Sequence, residues 1–433
     1  MKPKLLLPVL MLFFLASCSS SDPVVDGTVK IAVVSDIHYM APSLFVNGGE
    51  NGAAFLNYLN ADPKLVQYSD AITKKLISEL IAEKPDVVLI PGDLTKDGEH
   101  VSHVAMAAFL QELRASKSGM KIIVVPGNHD ILNPEAMSYD GDNAVPAPSI
   151  SADEFTSLYN DFGYGSAVSL DPNSLSYLSK PFPNLWVLAI DDCKYNDNST
   201  AGIAVIGGNI KPESLLWMKD RLAEAKQNGA RIVGMMHHNL IEHYAGQDQF
   251  DPNYVTDNWE ANTNALMDAG LEVIFTGHYH ANDISSREYN GNTLYDIQTA
   301  SLVDPPLPYR IITLNKKEME ISTKRITSIN AALPGGTDIV TYGNDFLSAH
   351  LDGIFSYILT LEPFLMSETD AAAAAPQFRN AYLAHFSGDE HIGPAEQSLD
   401  DAIAAMSPLA GMALATLWTD LNPPDNSSHI TLK

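Results

Sequence analysis

The sequence predicts an α/β protein with a small α-helical domain at its C-terminal end. Three observations carry this. Short apolar runs alternate with amphipathic helical stretches between residues 30 and about 280. Each run ends in glycine, aspartate, asparagine or histidine. Beyond residue 330 the strand-like runs stop and long helical segments take over.

The first run is KIAVVSDIH (30–38). VNGGENG (46–52) reads as an irregular loop. Asp62 followed by Pro63 has the form of an N-cap and first helical residue, with Leu65, Ile72, Leu76 and Leu80 as the apolar face. DVVLIPGD (86–93) is the second run, a helix is expected over about 101–115, and KIIVVPGNHD (121–130) is the third. A proline-rich, loop-like stretch over 131–184 precedes LWVLAIDD (185–192). Pro212 opens a helix that ends near Gly229, before RIVGMMHH (231–238). A helix from about Asn258 to Ala269 leads into VIFTGHYHANDI (273–284). NTLYDIQTAS, PYRIITL and MEISTKRI read as sheet without intervening helices. PGG at 334–336 marks the boundary, and FLSAHLDGIFSYILTLEPFL, PQFRNAYLAHF and DDAIAAMSPLAGMALATLW are helical in character.

Four regions follow: residues 1–17 as a signal peptide, 18–28 as a tether, 29–330 as the main α/β domain and 331–433 as a helical domain. The signal reading rests on Lys2 and Lys4, the apolar LLLPVLMLFFL, too short to span a bilayer, and Leu15-Ala16-Ser17-Cys18. That last segment resembles the lipobox of a bacterial lipoprotein. The resemblance implies cleavage before Cys18, lipidation of Cys18 and an exported protein anchored to the cell envelope. A plain secretory signal with an incidental cysteine is the alternative. Cys193, the only other cysteine, has no neighbours suggesting a nucleophile and reads as a partly buried core residue.

With 45% hydrophobic residues the chain is globular. Its 26 Lys+Arg against 53 Asp+Glu give a net charge of −27, which repels nucleic acid duplexes. Oligomeric state has no readable signature.

The polar residues at the run ends form a set. Asp36 and His38 close the first run, Asp93 the second, Asn128, His129 and Asp130 the third, His237 and His238 the next, and His278 and His280 the last. Six of the 13 histidines lie here. In open α/β sheets such strand ends share one rim. Imidazole and carboxylate without thiolate suit a pair of Zn, Mn, Fe or Ni ions. Glycines 92, 127 and 277 allow close backbone approach to a phosphate.

Asp-x-His, Gly-Asp, Gly-Asn-His-Asp, His and Gly-His-x-His, in this order over residues 30 to about 325, resemble the calcineurin-like metallophosphoesterases. The resemblance implies a four-layer α/β/β/α sandwich and two divalent metal ions, Fe, Mn or Zn. Asp36, His38, Asp93 and His280 would hold the first ion. Asp93 would bridge to a second, held also by Asn128, His237 and His278. His129 would contact the phosphate and assist the leaving oxygen, Asp130 would orient His129, and His238 would stand behind the ligands. Purple acid phosphatases carry a tyrosine where this chain has Lys96, and 5′-nucleotidases usually carry glutamate where it has Asp130. DLTKDGEHVSH, MMHHNL and GHYHANDI look most like bacterial class III cyclic-nucleotide phosphodiesterases. The expectation is therefore hydrolysis of a small phosphodiester, with water activated by the two metals attacking phosphorus in line. A phosphomonoesterase or nucleotidase, and a surface-anchored binding lipoprotein with structural metals, are the other readings.

Overall fold

A computed structural model describes residues 27–388 and 390–433. The expected signal peptide, Cys18 and most of the tether lie outside the described residues. The first sheet has six strands in the order Ser427–Thr431, Glu318–Arg325, Pro308–Leu314, Val29–Val33, Val87–Pro91 and Lys121–Val125. The second has seven, in the order Ile284–Tyr289, Asn292–Gln298, Val273–Thr276, Arg231–Met235, Leu185–Ala189, Tyr177–Phe182 and Ser169–Leu170. The first is antiparallel from Ser427–Thr431 to Val29–Val33 and parallel from there to its edge strand Lys121–Val125, while the second is parallel at its centre and antiparallel at both margins.

The strands alternate side chains between two faces, so each apolar run feeds two cores. Ile31, Val33, Leu89 and Val125 turn inward to meet Val187, Val233 and Phe275 of the other sheet. Ala32, Val34, Val88 and Val124 turn outward onto Ile72, Leu76, Leu80, Met106 and Leu110 of the helices Ser69–Glu83 and His100–Ala115. On the far side, Trp186, Leu188 and Ile274 pack against Met218, Leu222 and Leu266 of Pro212–Gln227 and Trp259–Ala269. Three stacked cores make the four α/β/β/α layers.

Several expectations need correction. Asp62 and Pro63 do not open a helix: Ala53–Ala61 ends there, with Asp62 as its C-cap. Leu65 is held outside any helix by its N–H to the Val303 carbonyl, and the helix carrying Ile72, Leu76 and Leu80 begins only at Ser69. The loop-like stretch contains the helix Ala152–Leu158, whose Ser151 and Glu154 cap each other reciprocally. It also contains a ribbon, Met137–Asp140 with Asn143–Pro146, paired to Phe45–Val46. In the C-terminal region, the helices Ile339–Ile358, Glu368–Ser387, Pro394–Met406 and Pro408–Leu417 share a core of their own with Tyr244, Tyr279 and Ala281. The helical region does not run to the end of the chain. Ser427–Thr431 returns to the sandwich and pairs antiparallel with Glu318–Arg325 at the edge of the first sheet. No helix among the described residues is long and apolar enough to cross a membrane.

Candidate metal centre

The parallel portions of the two sheets end at one rim, and the strand-end turns there are tight. Asp36, His38, Asp93, His278 and His280 all have left-handed backbone, with φ between 41° and 72°. Only twelve non-glycine residues among the described residues do so, and five stand here. This conformation costs each L-residue about 1–2 kcal/mol, and such outliers gather at functional sites. The turns interlock: the N–H groups of Asp36 and His38 donate to the Gly92 and Asp93 carbonyls. The glycines are needed for space. A Cβ on Gly92 would lie 2.5 Å from His237 Nδ1, one on Gly127 2.1 Å from Asp93 Oδ1, and one on Gly277 2.4 Å from Asp36 Oδ2.

The seven expected ligand residues come together. Asp93 is central. Its Oδ1 accepts the His129 N–H at 2.9 Å, while its Oδ2 lies 3.7 Å from His38 Nε2 and 3.4 Å from His237 Nε2. On one side His280 Nε2 stands 3.3 Å from His38 Nε2 and 3.4 Å from Asp36 Oδ1. On the other, Asn128 Oδ1 stands 3.0 Å from His237 Nε2. Asp36, His38 and His280 form one group able to hold a cation, and Asp93, His237 and His278 another.

The hydrogen bonds behind the rings show what this donor set fits. His280 Nδ1–H donates to Asp304 at 2.7 Å, and His237 Nδ1–H donates to the Pro91 carbonyl at 2.8 Å. His278 Nε2–H donates to the Asn253 carbonyl at 3.2 Å. Each proton is thereby fixed on the outer nitrogen, and the inner lone pair faces the carboxylates. Lone pairs converging on carboxylate and amide oxygens suit cations. The local field agrees: burial opposes protonation of His237 and His280, but Asp93 outweighs it at the first, and Asp304 and Asp36 at the second, raising them to about 10 and about 9. Burial, with the charge of Lys64, pulls His38 well below its usual value, and burial with the neighbouring rings of His238 and His237 does the same to His278. Asp93 resists protonation despite burial, because His237, His129 and His38 surround it.

His129 leans over the centre, its ring at 5.0 Å from that of His38. Its expected partner is not the observed one. His129 Nδ1–H donates to Asp97 at 2.9 Å. Asp130 instead accepts the N–H groups of Leu94, Thr95 and Gly127 and the Thr95 hydroxyl. Its carboxylate points back under the loop, and burial followed by the charge of Asp93 raises it to about 7. Asp130 is a scaffold residue and Asp97 the positioning one. His238 faces Asp192 through Nδ1 at 2.8 Å and the Ile206 carbonyl through Nε2 at 2.7 Å, and packs its ring 4.3 Å from that of His278. Lys96 is fully buried between Asp97, Glu99 and the Tyr58 ring, away from the rim. Cys193 is half-buried, its thiol against the Pro126 carbonyl, and burial holds that thiol well above its usual range.

The centre opens into a cavity of about 540 Å³. Near the rim it is lined by Lys64, Asp62, Glu135 and Asp304. The helical region supplies an apolar wall, Leu351, Ile354, Phe355, Phe378, Tyr382 and Phe386, with the Phe386 ring 6.3 Å from that of His280. Lys64 is the only lysine or arginine in the lining among the described residues, and it pairs with Asp62 at 2.9 Å. Sequence reading missed Lys64, Asp97 and Asp304. The Lys-Asp spacing after Gly92-Asp93 was a usable signal for Asp97; none pointed to the other two.

Residues 29–282 match the family model described as calcineurin-like phosphoesterase. No curated protein matches the chain. Among solved structures, a dimetal phosphatase from Danio rerio is similar, at 15% identity, covering 69% of this chain and 96% of that one, with a TM-score of 0.47. The purple acid phosphatase PPD1 of yellow lupin is similar at 12% identity, covering 69% of this chain and 52% of that one, with a TM-score of 0.43.

Proposed function

The chain belongs to the calcineurin-like phosphoesterase family, and from that premise we propose that it hydrolyses phosphodiesters with one apolar or aromatic alcohol. Asp36, His38, Asp93 and His280 would hold one divalent ion, and Asp93, Asn128, His237 and His278 the other. Bound there, two such ions supply Lewis acidity at phosphorus and an activated water. His129, its Nδ1–H on Asp97, presents Nε2 to the phosphoryl group. Burial opposes a charge on this ring, but Asp93 and Asp97 outweigh it and raise its pKa. That favours the protonated form, which gives a proton to the departing alkoxide. Lys64 is placed to pair with a phosphoryl oxygen.

The charge of the cavity lining carries the diester reading. One lysine stands against Asp62, Glu135, Asp251 and Asp304, none of them an expected metal ligand. Such a lining repels the dianion of a monoester more than the monoanion of a diester. The apolar wall from the helical region then receives the organic substituent. A cyclic nucleotide meets both requirements, with one negative charge at phosphorus and a flat aromatic group. The test is turnover of bis-p-nitrophenyl phosphate against p-nitrophenyl phosphate, with Mn or Zn restored after chelation. A clear preference for the monoester overturns the diester reading; tight metal binding without turnover of either favours a binding protein.

We further propose export and anchoring through a lipidated Cys18. Radiolabelled palmitate should enter the wild-type chain in a bacterial host and not the Cys18→Ser variant; equal labelling of both refutes it.

A further inference from the structure

The sandwich and the helical region meet over a second buried cluster that the proposed hydrolysis does not use. Asp283 lies three residues beyond His280. His385 sits in the last turn of Glu368–Ser387, Glu390 follows that helix, and Asp420 and Asp425 lie on the segment leading to the final strand. Asp283, His385 and Glu390 are 1%, 2% and 3% exposed. One ligand-capable atom from each lies within 4.8 Å of the others.

Half of this cluster is bonded. His385 Nδ1 faces Glu390 Oε1 at 2.6 Å, His243 Nδ1–H donates to Asp283 Oδ1, and Asp425 Oδ1 accepts the Ile284 N–H at 2.7 Å. The other half is not. Asp283 Oδ2, His385 Nε2, Glu390 Oε2, Asp425 Oδ2 and Asp420 Oδ1 are all buried without a hydrogen-bond partner. Each such atom has given up its hydrogen bonds to water without replacement, and like charges crowded out of water add to that cost. Arg310, fully buried alongside, does not relieve it. Its guanidinium donates to the backbone carbonyls of Gln298, Asp283 and Asp425 and to the Thr323 hydroxyl, not to the carboxylates. Burial, followed by the charge of Asp283, raises both Glu390 and Asp425 to about 9. Asp296 also faces His243, its Oδ1 3.5 Å from Nε2, so with all five carboxylates ionised Arg310 and a charged His243 would leave three negative charges over.

We propose that this cluster is a third metal site, in which Asp283, His385 and Glu390, supported by Asp425, hold one divalent cation that clasps the helical region to the sandwich. Carboxylates with one imidazole and no thiolate fit Zn²⁺ or Mn²⁺, while Ca²⁺ asks for six to eight oxygens.

The test counts metal rather than turnover. The full chain is stripped with chelator, reloaded with Zn²⁺ or Mn²⁺, freed of excess and analysed for metal per chain. The wild type should carry one ion more than Glu390→Gln and one more than His385→Gln, with circular dichroism confirming that both variants fold. Equal content in all three overturns the proposal. So does a Mn²⁺-soaked wild-type crystal whose anomalous map shows no peak between Asp283, His385 and Glu390. That result would mean that the carboxyls share protons or enclose water.

Discussion

Two carboxylate–histidine clusters lie three residues apart along the chain, divided between His280 and Asp283, and they are built in opposite ways. Around Asp93 the side chains open onto a cavity, and five of them stand in left-handed backbone. Around Asp283 the side chains of Asp283, His385, Glu390 and Asp425 are buried and line no part of that cavity, and neither they nor the half-buried Asp420 have a positive φ. Strain and access belong together where a substrate must enter and groups must be aimed. A relaxed, closed cluster suits cohesion. The contrast teaches that similar ligand chemistry can serve turnover or attachment. Burial does not separate the two, since Asp93 and Asp283 are each 1% exposed; backbone conformation and a place in the cavity lining do.

The sharpest way to break this contrast is at Asp93. Asp93→Asn should lower kcat on bis-p-nitrophenyl phosphate by about 10³-fold or more, because both ions lose a shared ligand. A loss below tenfold would remove Asp93 from the centre. Next come the two aspartates that flank His129. Asp97→Asn should lower kcat by roughly 10–100-fold and flatten the basic limb of the pH–rate profile, as the ring loses its orienting acceptor. Asp130→Asn should instead lower unfolding free energy by about 1–3 kcal/mol, through the backbone donors it abandons. If the two variants exchange phenotypes, the assignment of positioning and scaffold roles is wrong. A smaller effect is expected at the apolar wall. Phe378→Ala should raise KM about tenfold for an aryl diester, about 1.4 kcal/mol of lost contact, and change KM little for a dimethyl diester.

The gentlest probe is pH. His103, fully buried between Thr95, Tyr159 and the Asp130 carbonyl, is held by burial down to about 3. The folded ring therefore refuses a proton that the unfolded chain accepts below about pH 6.5. Its contribution to stability is complete above that value and falls as pH drops from 6.5 toward 3. The limiting slope is about 1.4 kcal/mol per pH unit. Urea unfolding at pH 7, 6 and 5 should show this slope in the wild type and a shallower one in His103→Gln; identical slopes would count against a neutral buried ring.

The rim was legible because strand periodicity and strand-end chemistry coincide. An apolar run fixes a strand, the strand fixes where its end lies, and the next polar residue is delivered there, as at Asp93 and His280. Lys64 and Asp304 escape that logic. They approach the cavity on turns whose course is set by tertiary bonds, such as the Leu65 N–H to the Val303 carbonyl. Asp62-Pro63 carried a sound local helix signal that the neighbouring helix and that bond overrode. The cluster at Asp283 was illegible for a related reason. Its members come from a strand-end loop, a helix end and the penultimate segment, with no shared period.

The final strand, Ser427–Thr431, makes the helical region an excursion rather than a tail. The first sheet acquires this margin only when residues 427–431 are in place, so a chain cut between 330 and 427 would bare Glu318–Arg325 to intermolecular pairing. Shortening the protein safely therefore means excising the helices and rejoining the ends, not truncating it.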